Sequence, residues 1–311
     1  MEVAAAKYAE HMPLARQAKL EPTWLALMAY VRSATVVGAD ETTWRLMRTG
    51  ETLKWWVWAL RRDDAVAYDF LARRNQEAAA QLIGDFHGVL VADGHGAYEA
   101  LRRTRAGGCR EGPDGEPHSD PCIVLAQCWS HTRRRFHKCR EHWPEAEEAL
   151  DLIAQMYAVE RQADDAEVRD EAARDKLRAK LRDEVSRHAL DRLWAWTLER
   201  NPPPKSGLGR AISYMTGRWT GLTVFLDRPD VPPDNNATER SIRGPVLGRK
   251  NHGGSRSKAG MKASAVLYSL VEAAQLAGVD PRAYLRQVAR RAINGGPPLL
   301  PHEYEPPPAA K

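Results

Sequence analysis

The feature that most limits what this chain can fold into is the order of extended and helical text between residues 33 and 93. Thr35-Val36-Val37-Gly38-Ala39-Asp40 reads as a strand. Lys54 to Leu60 and Ala65 to Phe70 read as two more, with turn chemistry from Arg61 to Asp64 between them, so a three-stranded meander is expected. Asn75 is placed to cap a helix carrying Ala78, Ala79, Leu82 and Ile83 and closed by Gly84. Val89-Leu90-Val91-Ala92 is a short apolar strand that delivers Asp93 into Gly94-His95-Gly96. The order is βββαβ. After a polar loop from Arg105 to Pro121, a further apolar run from Cys122 to Ala126 and a helix starting near Trp129 extend it, which is the text of a mixed α/β layer fold.

From about Pro144 to Arg200 the pattern becomes helical, with stripes at Leu150, Ile153 and Tyr157, at Leu177, Leu181 and Val185, and at Leu190, Leu193 and Trp194. The dense mixed charge from Glu160 to Arg192 reads as a solvated helical face. Asn201-Pro202-Pro203-Pro204 interrupts, and Leu208 to Phe225 resumes in part. Pro232-Pro233 followed by Asp234-Asn235-Asn236 marks a helix start with Glu239 in its first turn. Gly244-Pro245 is expected to end that helix and Gly248 to Gly260 to form a glycine-punctuated basic loop. A helix from Ala263 to Ala277, another from Asp280-Pro281, and a disordered Pro-rich tail beyond Gly295 complete the reading. Residues 1–30 hold only fragments of helical pattern, so the ordered domain is expected to start near Ser33.

Charge is nearly balanced, 46 Lys and Arg against 41 Asp and Glu, yet it is unevenly spread. Arg240, Arg243, Arg249, Lys250, Arg256, Lys258 and Lys262 follow one another without an acid, and so do the basic residues from His131 to Arg140. Patches of this kind face a polyanion. No stretch reaches 18 uninterrupted apolar residues and no apolar leader core is present, so the expected location is cytoplasmic, with no membrane partner. Cys109, Cys122, Cys128 and Cys139 lack the C-x-x-C spacing of a metal site, and a zinc site from Cys109, Cys122 and His118 is the weaker reading beside reduced thiols.

Three carboxylates stand out: Asp40 and Asp93, each after an apolar run, and Glu239 at the head of the basic stretch. Read one by one, each has an ordinary explanation. An Asp after a strand commonly bonds its own turn, and Asn236 with Glu239 has the spacing of a capping box. Read together, two carboxylates from neighbouring strand ends and a third from a helix packed on the sheet suit two hard divalent cations and phosphoryl transfer.

Four blocks resemble the DDE-type transposases of the insertion sequence 66 family. They are Asp40-Glu41-Thr42-Thr43-Trp44; Val91-Ala92-Asp93-Gly94-His95-Gly96-Ala97-Tyr98; Cys128-Trp129-Ser130-His131-Thr132-Arg133-Arg134-Arg135-Phe136; and Pro233-Asp234-Asn235-Asn236-Ala237-Thr238-Glu239-Arg240 with Gly248-Arg249-Lys250-Asn251. The resemblance spans roughly Ala34 to Gly278 in the family's order. It implies an RNase H-like, retroviral-integrase-like core in which Asp40, Asp93 and Glu239 are catalytic and hold two Mg²⁺ or Mn²⁺ ions. It also implies DNA as partner, action as a homo-oligomer on paired DNA ends, and accessory proteins of the element. His131, Arg134, Arg135, Arg240, Arg243, Arg249 and Lys250 are the expected DNA contacts, while Trp129 and Phe136 pack inward and Trp55, Trp56 and Trp58 serve as core and sheet-face residues.

The implied division is an N-terminal helical remnant in 1–32, the first part of the core in 33–143, a helical insertion in 144–230, the rest of the core in 231–294 and a disordered tail in 295–311. The family's N-terminal recognition region and Cys-rich segment are not matched, so a deletion before Asp40 is expected. Two alternatives stand beside metal-dependent strand cleavage and transfer: a catalytically idle DNA-binding remnant, and a general RNase H-like nuclease.

Overall fold

The computed structural model describes residues 18–106, 123–168 and 170–306. Two compact units divide them, one taking the residues up to Leu90, His95–Ile123 and Asn236 onward, the other Val91–Gly94 and Val124–Asn235.

The first unit starts earlier than Ser33. Helix α1 (Glu21–Arg32) buries Trp24, Leu27, Met28 and Val31, and the Trp24 indole donates to the Tyr68 carbonyl at 3.0 Å, so this segment belongs to the unit's core. The expected meander is present as β1 (Val36–Arg48), β2 (Glu51–Arg61) and β3 (Val66–Leu71), all antiparallel. β1 runs well past the expected end at Asp40. Thr42, Thr43, Trp44 and Leu46 are good strand formers, and a two-residue Thr49-Gly50 turn, with Gly50 at φ 77°, closes the hairpin onto Glu51. Helix α2 (Gln76–Ile83) is capped by the Asn75 side chain, which accepts from Ala78 N–H at 3.2 Å. Strand β4 (Gly88–Ala92), helix α3 (Gly96–Ala106) and strand β5 (Ile123–Gln127) follow. The five strands lie in the order β3-β2-β1-β4-β5 in a mixed sheet, with β1 central. The loop expected from Arg105 to Pro121 falls almost wholly outside the described residues, as do Cys109, His118 and Cys122.

Because side chains alternate across a strand, the register sorts β1 and β2 into two faces. Trp44 and Leu46 of β1, Leu53, Trp55, Val57 and Ala59 of β2, and Val66, Tyr68 and Phe70 of β3 share one face.

Apart from the end of β4 and β5 from Val124 on, the second unit is helical. It contains α4 (Trp129–Cys139), α5 (Ala146–Asp165), α6 (Glu171–Leu181), a π-helical turn (Arg182–Arg187), α7 (His188–Leu198), α8 (Gly207–Thr216) and α9 (Trp219–Asp227). The solvated face expected from Glu160 to Arg192 holds for α6, which buries no residue, and fails at Arg182, which is 1% exposed. Its guanidinium grips the Glu160 carboxylate at 2.8 and 2.7 Å and donates to the carbonyls of Phe225 and Arg228. A buried Arg is tolerated only when its donors are met in this way.

The meander face of the first unit is covered by α10 (Asn236–Ser241), α11 (Arg243–His252) and α12 (Lys258–Leu276), through Ile242, Met261, Ala265 and Tyr268. Gly244-Pro245 does not terminate the helical text. Pro245 lies in the first turn of α11, where its missing N–H has no intrahelical partner to lose, so helix resumes at once. The expected basic loop shrinks to residues 253–257, and α12 begins at Lys258 because Ser257 caps it, accepting from Gly260 N–H at 3.0 Å. Helix α13 (Pro281–Ile293) starts at the predicted Asp280-Pro281, with Asp280 accepting from Ala283 N–H. The tail differs from its expected disorder as far as Tyr304. Leu299, Pro301 and Tyr304 are buried, and the Tyr284 hydroxyl donates to the Leu299 carbonyl at 2.8 Å.

Candidate active site

Asp40 stands inside β1 and not at its end, paired across the ladder with Ala59. By parity it shares the face of Trp44 and Leu46, the side that α10–α12 cover. It is half-buried, and its Oδ1 accepts the Glu41 N–H at 2.9 Å. Arg61, opposite Gly38, lies on the same face, and burial lowers the pKa of its guanidinium, with the nearby charge of Arg240 acting in the same direction.

Glu239 lies in the first turn of α10, which packs against β1 and β2. The helix is pinned there by Ile242 in the core and by the Tyr68 hydroxyl, which donates to the Ser241 carbonyl at 2.7 Å. Burial pushes the Tyr68 pKa far up, so the phenol stays a neutral donor. The half-buried Glu239 and Asp40 therefore belong to one unit, on a helix and a strand that pack together.

Glu41, the next residue, points to the opposite face of β1. Its buried carboxylate accepts from Arg74 Nε at 2.5 Å and from the Tyr98 hydroxyl at 2.6 Å, while the Tyr98 ring meets Trp58 edge-on. The sequence reading assigned no role to Glu41, Arg74 or Tyr98, although Glu41 and Tyr98 sit inside the first two motif blocks. A charged residue beside an acid reads as solvated surface until the strand is seen to carry both faces inward. Trp56 receives the cations of Lys54 and Arg74 over its ring, and Trp58 is fully buried, in keeping with their expected sheet-face and core roles.

Asp93 follows β4 directly, as the apolar run predicts, and is half-buried; it falls with Val91–Gly94 in the second unit. There Arg218 donates to the Gly94 carbonyl at 3.1 Å. In α4, Trp129, Thr132, Phe136 and Cys139 are buried, His131 is half-buried, and Arg133, Arg134 and Arg135 are exposed, the inward-outward split read from the motif. The Trp129 N–H donates to the Pro233 carbonyl and its indole to the Leu222 carbonyl, and the Asn235 N–H points at Cys128 Sγ at 3.3 Å. The Tyr157 hydroxyl donates to Asp234 Oδ2 at 2.9 Å, and burial followed by the Asp234 charge raises its pKa. Burial also raises the pKa of the Cys128 thiol.

The remaining expected contacts are distributed over the first unit. Arg240, Arg243 and Lys250 are exposed on α10 and α11. Arg249 is half-buried, its Nη1 donating to the Thr43 carbonyl and to Thr43 Oγ1, so it ties α11 to β1. The short loop after α11 is tied there too: Ser255 exchanges backbone hydrogen bonds with Arg45 and Met47, and its hydroxyl accepts from the Trp44 indole at 3.1 Å. Carboxylate oxygens on half-buried side chains are the donor set that hard divalent cations prefer, and Asp40, Asp93 and Glu239 fit such ions by that chemistry.

A helix-flanked mixed sheet with one acid on its central strand, a second just past β4 and a third on a covering helix defines the class: an α/β protein with carboxylates and basic helices on its sheet framework. The chain belongs to the Transposase IS66 family, which it matches over residues 17–263. It is similar to the uncharacterized proteins y4jD and y4qI of Sinorhizobium fredii (strain NBRC 101917 / NGR234), at 32% and 29% identity over 94% and 98% of this chain. A third protein of that strain, y4hP, is 26% identical over 88% of the chain. The chain spans 62% of the length of y4jD and of y4qI, and 51% of that of y4hP.

Proposed function

We propose that this chain is the catalytic part of a DDE transposase, in which Asp40, Asp93 and Glu239 are the acids of metal-dependent DNA cleavage and strand transfer. The observation that carries the reading is the facing of Asp40: it shares the side of the meander covered by the helix that bears Glu239, and turns away from the buried Glu41 next to it. Asp40 stands half-buried on the face that also carries Arg61. The five-stranded order with a leading meander supports an RNase H-like core, formed in this reading by residues 33–143 and 231–294 with a helical insertion in 144–230.

Two Mg²⁺ or Mn²⁺ ions, when bound, supply activation of the attacking oxygen and stabilisation of the leaving oxygen at phosphorus. The three carboxylates hold the ions, and β1 and α10 keep two of those carboxylates in place through backbone pairing and the Tyr68 hydrogen bond. Arg134, Arg240, Arg243 and Lys250, all exposed, engage phosphates along the duplex, and His131 and Arg249 sit nearer their elements' packed sides. DNA ends and target are the substrates, a homo-oligomer on paired ends the acting form, and accessory proteins of the element its partners.

Nicking of supercoiled plasmid in Mg²⁺ or Mn²⁺ tests the assignment. Asp40→Asn, Asp93→Asn and Glu239→Gln should each lower the rate by roughly 10³-fold or more, the scale of several kcal/mol of lost charge stabilisation, with melting temperatures close to wild type. A variant that keeps wild-type nicking removes its residue from the set. Duplex binding without cleavage in Mn²⁺ by the unaltered chain would favour an idle DNA-binding protein instead.

A further inference from the structure

In the second unit, α4 presents Arg135 and α8 presents Tyr214, with Arg218 just beyond the end of α8. The Arg135 guanidinium carbon lies 3.8 Å from the centroid of the Tyr214 ring, and that of Arg218 lies 4.0 Å from it. Two planar cations cannot both occupy one face of a ring at that distance, so each covers its own face, a stack stabilised by cation–π attraction. Arg218 also donates to the Tyr214 and Gly94 carbonyls, at 3.4 and 3.1 Å. A Cβ on Gly94 would come within 2.4 Å of Arg218 Nε and 2.7 Å of the Tyr214 hydroxyl, so the Asp93-Gly94 backbone lies directly against this stack. The Asp93 charge is felt at the Tyr214 hydroxyl.

Two guanidinium groups held on one ring repel one another, and among the described residues neither is neutralised by a salt bridge. Of the five N–H donors on Arg218, two are used by carbonyls. Paired and oriented guanidinium groups outside any salt bridge match a phosphate oxygen pair better than a neutral ligand. We propose that Arg135, Tyr214 and Arg218 form a phosphodiester clamp that holds the DNA backbone beside the second acid, Asp93, with Tyr214 as the plate that keeps both guanidinium groups flat. The clamp rests on the DNA-transposase reading and adds to it two residues, Tyr214 and Arg218, that lie outside the matched motif blocks.

Anisotropy of a fluorescein-labelled random-sequence duplex, titrated in EDTA over 50–200 mM salt, is the test. Removing one cation from the DNA backbone lowers the slope of log K against log salt by about 0.9. Arg135→Gln and Arg218→Gln should each show that drop, with binding weaker by about eightfold near 0.1 M salt on the same relation. Arg135→Lys should restore most of the slope. Unaltered slopes in Arg135→Gln, an exposed position that leaves the fold intact, would overturn the clamp, as would wild-type protein that does not bind the duplex. The nicking assay separates the two readings. Plasmid nicking by wild type with no slope change in the Arg variants defeats the clamp alone, whereas a slope change without nicking leaves the clamp standing and defeats the catalytic assignment.

Discussion

At the scale of single residues, neighbouring acids have opposite fates because a strand turns alternate side chains to alternate faces. Asp40 and Glu41 are adjacent in sequence, yet they face opposite sides of β1, and Glu41 is held by Arg74 and Tyr98. A hydrogen bond to a buried carboxylate contributes about 1.5–3 kcal/mol. Tyr98→Phe is therefore expected to lower stability by about that amount, read as a shift in denaturant midpoint with unchanged slope; an unshifted midpoint would show the bond to be idle. Asp69 is a second case on that face. Burial raises its pKa despite hydrogen bonds from the Phe70 N–H and Gln81. A carboxyl whose folded pKa is raised stabilises the fold while protonated and loses that contribution as pH rises through the folded pKa. Asp69→Asn should accordingly melt at a higher temperature than wild type at pH 7, with the gap closing below the ordinary Asp value of about 3.9. Equal melting temperatures at pH 7 would contradict the desolvation account.

Among elements, α10 shows how a six-residue helix is kept in place. Too short to be stable alone, it is held by Ile242 in the meander core and by the Tyr68 hydroxyl on the Ser241 carbonyl. The edge strand β3 is sealed by the same neighbourhood, since Tyr68 N–H donates to Ser269 Oγ of α12 at 2.8 Å. Tyr68→Phe keeps the ring and removes one hydrogen bond, costing about 1 kcal/mol of stability. If α10 carries a metal-binding acid, the same variant should also raise the Mg²⁺ concentration needed for half-maximal nicking. A stability loss with no change in Mg²⁺ dependence would detach α10 from the metal site. The basic text after Glu239 also changes character at this scale: what reads as a loop is largely helix α11, stitched to β1 by Arg249 and followed by a loop that Ser255 ties to the same strand.

Across the whole molecule, the two units rest on different physics. The first is a sheet with apolar helices over its meander, and the second is a helical body with a buried ion pair at its π-helical turn. Arg182→Ala would remove both short hydrogen bonds on the Glu160 carboxylate, leaving it the longer 3.6 Å contact with Arg178, and would strip two carbonyls of their donor; breaking a buried pair costs about 3–5 kcal/mol. The helical circular-dichroism signal of that variant should melt at a markedly lower temperature. Arg182→Met together with Glu160→Leu, which removes both charges, should recover part of the loss. No loss in Arg182→Ala, or no recovery in the double variant, would overturn this account of the turn.

Local chemistry alone determined a good part of the protein. The meander follows from three apolar, β-branched runs with turn residues between them, Asn75 and Asp280 announce their caps, and the four motif blocks identify the family. These are legible because each depends on neighbours a few residues away. Tertiary structure alone decided that Asp40 sits in mid-strand, that Glu41 is buried, that α11 continues through Pro245, that Leu299 to Tyr304 pack down, and that Tyr214 lies between two arginines. Most of these depend on partners from about fifteen to two hundred residues away, such as Ala59 for Asp40, Tyr98 for Glu41, Tyr284 for Leu299 and Arg135 for Tyr214, whose packing and desolvation energies no local window contains.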